Sequence, residues 1–282
     1  MGICINGKDL AKEYKDKIKL FVEDIKNKNC RIPCLATILI GDDGGSTYYV
    51  KNQNKLCNDL GIMAKNYLLK ETINEGEVIS LIKKLNEDNT VDGIMLQVPL
   101  PKHLNEKVIT SIISYEKDVD GLTDINLGKF YKGDNSFVPC TARSVIELIK
   151  STGCIITGKN AVILGRSNIV GKPVAQLLLN ENATITICHS KTNHLKEICR
   201  TADILVVAIG KPNFITKDFV KDGAIVIDVG TTMIEGKVKG DVSLKEVIEV
   251  VSFVSPVPGG VGSMTTTMLI KNICEAYNKN VH

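Results

Sequence analysis

The sequence contains no apolar run approaching the roughly 18 to 20 residues that a membrane span requires, so no transmembrane helix and no membrane partner are expected. Its opening stretch, Met1 to Leu10, lacks the charged-then-apolar layout of a secretory signal. A cytoplasmic location is the expectation. Charge of one sign is also scarce. Lys and Arg number 35 against 32 Asp and Glu, for a net charge of +3, with the two signs interspersed. A protein without a basic tract is not expected to bind nucleic acid. Nine cysteines are present, an odd count, with no CxxC spacing, and most lie in apolar runs such as Ala183 to Ser190. Buried free thiols are therefore expected. Cys30 and Cys34 flank Arg31-Ile32-Pro33 with no histidine near to complete a zinc site, so no metal is expected. Internal repeats and low-complexity segments are absent as well.

What is present is an alternation. With 282 residues, 44% of them hydrophobic and 24% charged, the chain suits two ordinary folded domains. Short β-branched runs alternate with helical patterns, the layout of βαβ units. A buried strand is expected at Cys34 to Ile40, then a turn at Gly41-Asp42-Asp43-Gly44-Gly45 and a helix from Ser46 to Leu60 stopped by Gly61. A strand from Ala64 to Leu69 follows. The next helix, Asn74 to Asn86, can be capped by Asn74 with Glu77 at its third position. A strand from Gly93 to Val98 ends at Pro99. The second alternation starts near Pro139, with a helix that Thr141 can cap and that runs to about Lys150. Strands are then expected at Asn160–Leu164, Thr184–Cys188, Ile204–Ile209 and Ala224–Val229, as in a doubly wound parallel sheet. A last helix, about Thr265 to Asn278, follows the turn Pro258-Gly259-Gly260-Val261-Gly262.

The strand Asn160–Leu164 runs into Gly165-Arg166-Ser167-Asn168-Ile169-Val170-Gly171-Lys172-Pro173 and a helical stretch. Glycines there let backbone N–H groups approach a pyrophosphate, and a helix N-terminus favours its charge. The middle glycine of GxGxxG is missing, so the loop alone is equally an ordinary strand-to-helix turn. An acid at the end of the following strand would accept the ribose hydroxyls of NAD. The chain has His189-Ser190-Lys191-Thr192 instead. Ser190 and Lys191, with Arg166, suit a 2'-phosphate, and the plainer reading is a solvated strand end.

With these residues in view, the chain resembles the bifunctional methylenetetrahydrofolate dehydrogenase and methenyltetrahydrofolate cyclohydrolase family over essentially its whole length. The segments carrying the resemblance are Ile5-Asn6-Gly7-Lys8, Gln97-Val98-Pro99-Leu100-Pro101, Lys117-Asp118-Val119-Asp120-Gly121, Pro139-Cys140-Thr141, GRSNIVGKP at Gly165, GKP at Gly210, IDVG at Ile227, GDV at Gly240 and PVPGGVG at Pro256. The resemblance implies a two-domain α/β protein. A folate-binding catalytic domain would comprise residues 1–139 plus 265–282, and a Rossmann-like dinucleotide domain residues 140–264, with the folate in a cleft between them. It implies oxidation of 5,10-methylenetetrahydrofolate with NADP, NAD being less suited, tetrahydrofolate as carrier, and a homodimer. It places Tyr49 as the ring stacked on folate, Gln97 near the reacting carbon and Asp120 on the pterin. Pro99, Leu100, Pro258, Gly259 and Gly260 would line the folate. Gly165, Arg166, Ser167, Ile169, Val170, Gly171, Ser190, Gly210 and Thr231 would hold the cofactor.

The chain departs from that pattern in several places. Ala142 and Ser144 replace a proline and a glycine, Thr231 and Thr232 an Ile-Asn pair, and Ser263 a proline, changes expected to fall on the cofactor side. The largest departure is Gln53, four residues after Tyr49, where the family has its catalytic lysine. Lys51 and Lys55 lie two positions to either side, about 200° around a helix. A neutral amide cannot move the protons that cyclohydrolase chemistry needs. The readings left open are a dehydrogenase with impaired cyclohydrolase activity, a bifunctional enzyme using another residue, a shikimate-type or amino-acid dehydrogenase, and a silent folate- or nucleotide-binding protein.

Overall fold

The structure is a computed structural model that describes residues 1–42 and 44–281; Asp43, within the expected Gly41–Gly45 turn, and His282 lie outside the described residues. In chain order the first elements are β1 (Ile3–Cys4), α1 (Gly7–Asn27), β2 (Cys34–Ile40), α2 (Gly44–Leu60), β3 (Met63–Leu69), α3 (Glu75–Glu87) and β4 (Gly93–Leu96). Then come α4 (Glu106–Ile112), α5 (Asp124–Lys132), α6 (Cys140–Ser151), β5 (Asn160–Leu164), α7 (Gly171–Asn180), β6 (Thr184–Cys188) and α8 (Leu195–Cys199). The last are β7 (Ile204–Val207), β8 (Ile225–Asp228), β9 (Thr232–Ile234), β10 (Lys237–Lys239), α9 (Leu244–Val247), β11 (Phe253–Val254) and α10 (Val261–Val281).

The chain divides into two compact units. One holds Met1–Glu13 and Pro139–Met268, and the other holds Tyr14–Val138 and Leu269–His282. The expected division differs at the N-terminus: the first thirteen residues fall with the dinucleotide-type sheet, because β1 pairs in parallel with β11 at that sheet's edge.

In the Tyr14–Val138 unit the sheet order is β3-β2-β4, all parallel, with Cys34 opposite Met63 and Leu35 opposite Gly93. Every residue of β2 is buried, as a central parallel strand covered on both faces must be. Ile38, Ile82, Ile94 and Ile109 pack in its core. Helix α3 starts where its capping box is found: Asn74 accepts from the Glu77 N–H at 2.9 Å and the Glu77 carboxylate accepts from the Asn74 N–H. Such a cap contributes about 1 kcal/mol. The C-terminal part of α10 belongs to this unit. There Arg31 grips buried Asp92 with two bonds of 2.7 Å, its guanidinium lies over the Tyr277 ring at 4.8 Å, and Asn280 reaches the same carboxylate.

The other unit carries a six-stranded parallel sheet in the order β1-β11-β8-β7-β5-β6. Leu164, Leu205, Val207, Val226 and Val254 fill its core. Strands β5 and β6 have the expected bounds, while β7 and β8 are shorter than expected. Helix α6 corrects the expectation for Thr141: the N-cap is Pro139, with no side-chain cap bond. The expected burial of the thiols also needs correction. Cys34, Cys57, Cys140, Cys188, Cys199 and Cys274 are buried, whereas Cys4 and Cys30 are exposed and Cys154 is partly so; all are free.

Candidate active site

Two groups of candidate residues are built on different elements. In the first, α2 carries Tyr49 and Gln53 one turn apart, on one helix face. Tyr49 is 54% exposed, whereas Gln53 is only 6% exposed. Across from α2, the Gln97 N–H donates to the Ile38 carbonyl at 2.9 Å, which continues the β4 line by one residue and turns the side chain inward. Gln97 is 7% exposed, and its amide Nε2 lies 3.4 Å from Gln53 Oε1, a long hydrogen bond. Lys51 and Lys55 are both exposed, on the other side of the helix. The structure therefore brings Gln53 and Gln97 together and turns both neighbouring lysines away. Val98 and Pro99 are exposed and Leu100 half-buried just beyond, after a cis peptide bond before Pro99.

The KDVDG segment splits into parts with different duties. The Lys117 ammonium is buried and donates to the Leu85 and Asp88 carbonyls, where the C-terminal end of α3 leaves acceptors unpaired. Burial holds its pKa below the ordinary lysine value. Asp118 accepts from the Thr123 N–H at 2.8 Å, the Leu122 N–H at 3.2 Å and the Asn126 side chain at 2.9 Å. Asp120 lies on the turn so fixed, partly exposed, just before Gly121 at φ +69°.

The second group lies at the carboxyl ends of the six-stranded sheet. Leu164 pairs with Cys188, so Arg166 and Ser190 each leave the sheet two residues beyond a matched position and at the same end. Both side chains are exposed, and among the described residues neither has a hydrogen bond or ion pair within the protein. A Cβ on Gly165 would run into the Ala208 carbonyl, and one on Gly171 into the Gly165 carbonyl, so both glycines are required by backbone packing. The Ser167 hydroxyl accepts from the Val170 N–H at 3.1 Å and weakly from that of Gly171 at 3.4 Å. Val170, the N-cap of α7, offers no side-chain cap, and Ser167, Asn168 and Ile169 are exposed. That loop leaves a helix N-terminus open to an anion. Gly210 has φ +66° with open space around it, and Thr231 is exposed.

The turn at Pro256–Gly262 belongs to the same unit and packs on the start of α1. A Cβ at Gly7 would meet the Gly260 carbonyl, so the INGK segment is explained by this close approach. Pro258 is exposed and follows a cis peptide bond, Gly259 has φ +109°, and Gly260 is buried. Two of the departures lie inside the unit: Ala142 and Ser144 are fully buried in α6, and the Ser144 hydroxyl donates to the Cys140 carbonyl at 2.8 Å. Among the described residues, no group of three or more His, Cys, Asp or Glu is placed to hold a metal ion.

Residue 5–120 matches the family model for the catalytic domain of tetrahydrofolate dehydrogenase/cyclohydrolase, and residues 139–281 match the model for its NAD(P)-binding domain. A bifunctional protein FolD from Clostridium novyi is 63% identical over 275 residues, covering 98% of this chain and 99% of its own. The crystal structure of bifunctional FolD methylenetetrahydrofolate dehydrogenase/cyclohydrolase from Campylobacter jejuni aligns with a TM-score of 0.96 at 42% identity, covering 99% of each chain. FolD from Trypanosoma brucei, complexed with NADP cofactor and inhibitor, aligns at 0.95 and 35% identity, covering 100% of this chain and 99% of that one.

Proposed function

The chain belongs to the tetrahydrofolate dehydrogenase/cyclohydrolase family, and on that premise we propose that it oxidises 5,10-methylenetetrahydrofolate to the methenyl cation with NADP while hydrolysing that cation poorly. NADP, when bound, supplies the hydride acceptor. The remaining work falls to the chain's own side chains. The exposed Tyr49 ring stacks on the pterin, the Gln97 amide orients the one-carbon unit, and the Asp120 carboxylate accepts pterin N–H groups. Pro99, Leu100, Pro258, Gly259 and Gly260 line the folate. The Gly165–Gly171 loop and the open N-terminus of α7 suit a pyrophosphate. Arg166 and Ser190, exposed at the same sheet end with no acid in the His189–Thr192 strand end, suit a 2'-phosphate. Gly210 and Thr231 complete the cofactor's surroundings.

The observation that carries the one-sided reading is the buried Gln53–Gln97 amide pair, with Lys51 and Lys55 exposed. Hydride removal leaves a cation directly and needs no acid or base, so it tolerates glutamine. Ring opening by water needs protons moved, and neither amide titrates. A cytoplasmic homodimer is part of the same reading; C2 pairing is the commonest assembly, and no described helix is long and apolar enough to cross a membrane.

A steady-state assay with NADP and NAD in parallel, following methenyl formation and methenyl hydrolysis separately, tests it. Methenyltetrahydrofolate should accumulate with NADP. Hydrolysis keeping pace with formation would overturn the one-sided reading, and binding without any methenyl product would point to a silent folate-binding protein.

A further inference from the structure

Two carboxylates are buried side by side in the dinucleotide unit, and neither has a part in hydride transfer. Asp228, the last residue of β8, is 2% exposed, and Asp241, just after β10, is fully buried. Asp228 Oδ1 accepts from the N–H groups of Gly230 at 2.9 Å and Asp241 at 3.0 Å, and Oδ2 accepts from Val242 at 2.9 Å. Asp241 Oδ2 accepts from Ile209 at 2.7 Å and Gly210 at 2.9 Å, while its Oδ1 is buried with no hydrogen-bond partner among the described residues. The bonds thus run from the end of β8, through the 240–242 segment, to the turn that follows β7. The main chain continues the same strap: Asn213 N–H donates to the Gly240 carbonyl and Ile215 N–H to the Asp241 carbonyl.

The glycines of the two motifs fit this pair. A Cβ on Gly240 would run into Asp228 Oδ2, and one on Gly230 would lie 2.6 Å from Asp241 Oδ1. IDVG and GDV are therefore one device, in which each acid occupies the space that the other motif's glycine leaves open. Burying two acids, one of them with a bare oxygen, is costly, and an apolar clip between the loops would avoid that cost. What the carboxylates add is direction: they fix which way five backbone N–H groups point, those of Ile209, Gly210, Gly230, Asp241 and Val242.

We propose that Asp241, itself held by Asp228, is a positioning residue for the dinucleotide, setting the Ile209–Gly210 turn while Asp228 sets the Gly230–Thr231 turn in the shapes that receive the cofactor. This rests on the reading of Gly210 and Thr231 as cofactor contacts. The test is isothermal titration of NADP and of NAD into the full-length protein and its Asp241→Ala variant, with the Michaelis constants for both cofactors and for methylenetetrahydrofolate. Freeing two N–H groups should weaken NADP and NAD by a common factor, on the order of tenfold, with the folate Michaelis constant within about twofold. Asp241→Asn should restore most of the affinity, because its amide oxygen can accept both N–H groups while its NH2 takes the place of the bare oxygen. A variant that melts earlier yet binds both cofactors as before, or that loses folate and cofactor equally, overturns the proposal and leaves a merely architectural clip. Should Asp241→Ala not fold, Asp241→Glu, which displaces the carboxylate by one methylene, gives the same reading. Failure of the functional reading is distinct: there the unsubstituted protein would not bind NADP at all.

Discussion

The residues around Tyr49 and those at the strand ends of the six-stranded sheet use polar groups in opposite ways. At the first place the side chains nearest each other, Gln53 and Gln97, are buried and neutral, and the cations on the same helix point outward. At the second, Arg166 and Ser190 are exposed and, among the described residues, without a hydrogen bond or ion pair. On the proposed function, a single side chain in the first region, Gln53, decides which reaction is open. In the second, the sheet register brings Arg166 and Ser190 to one end, and on the same proposal each contributes a share. Substitutions should accordingly act as a switch in one region and by degrees in the other.

The largest expected effect is the switch. Gln53→Lys should create or raise methenyltetrahydrofolate hydrolysis by roughly 100- to 10,000-fold, the range credited to general acid–base catalysis, while hydride transfer changes little. Spectroscopic loss of the methenyl chromophore, measured apart from cofactor reduction, reads it. No gain would mean that some other group already does this chemistry, and the contrast between the two regions would fall.

Arg166→Ala comes next, on the graded side. A charge-assisted contact to phosphate is worth roughly 1.5 to 3 kcal/mol, so the Michaelis constant for NADP should rise about 10- to 150-fold with NAD use little changed. Equal losses with both cofactors would remove the 2'-phosphate assignment.

A third test uses pH. Burial pushes the Asp228 carboxyl up from 3.8 to about 6 against the pull of its three backbone hydrogen bonds, with the nearby Asp241 adding to the rise. A carboxyl with a raised folded-state pKa gives its stabilisation in the protonated form. That contribution is complete below the unfolded value and is lost as pH rises through about 6. The swing should be on the order of 2 to 3 kcal/mol. Urea unfolding between pH 4.5 and 7.5 should show stability falling with rising pH, and Asp228→Asn should flatten that slope. An unchanged slope would assign it to another group.

The two regions also differ in how far the sequence exposes them. Strands β5 and β6 and the Asn74–Glu77 box were legible because their signals are local: short β-branched runs and a cap three residues from its partner. Thr141 has the right residue type for a cap, yet the backbone starts α6 at Cys140 with Pro139 as N-cap and leaves its hydroxyl two positions late. Helix α1 carries an apolar face in Ala11, Ile18, Val22 and Ile25, all buried, which the many interspersed lysines obscure in the sequence. The roles of Lys117, Asp118, Asp228 and Asp241 depend on partners distant in sequence or on the direction of a buried carboxylate, and no spacing rule reveals either. Those acids stand in the motifs, but a motif alone does not separate a residue that meets ligand from one that holds the loop.

The smallest expected effect is the one that best guards the switch. Lys51 and Lys55 should contribute nothing to methenyl chemistry, since both are exposed while Gln53 between them is buried. Two positions along a helix turn a side chain by about 200°, so bringing either lysine in would require Gln53 to swing out and α2 to shift against β2 and β3. Substituting an exposed lysine away from any special contact should change stability by no more than about 0.5 kcal/mol. Lys51→Ala and Lys55→Ala should therefore leave dehydrogenase rate, residual methenyl hydrolysis and unfolding midpoint all within error of the unsubstituted protein. If Lys55→Ala or Lys51→Ala instead abolishes a hydrolysis that the unsubstituted protein performs, the helix turns in its working state and the lysine, not the glutamine, faces the folate. The same pair placed in a Gln53→Lys background separates the two accounts again: an introduced lysine at 53 should hydrolyse at full rate with or without its neighbours, because its neighbours were never on that face.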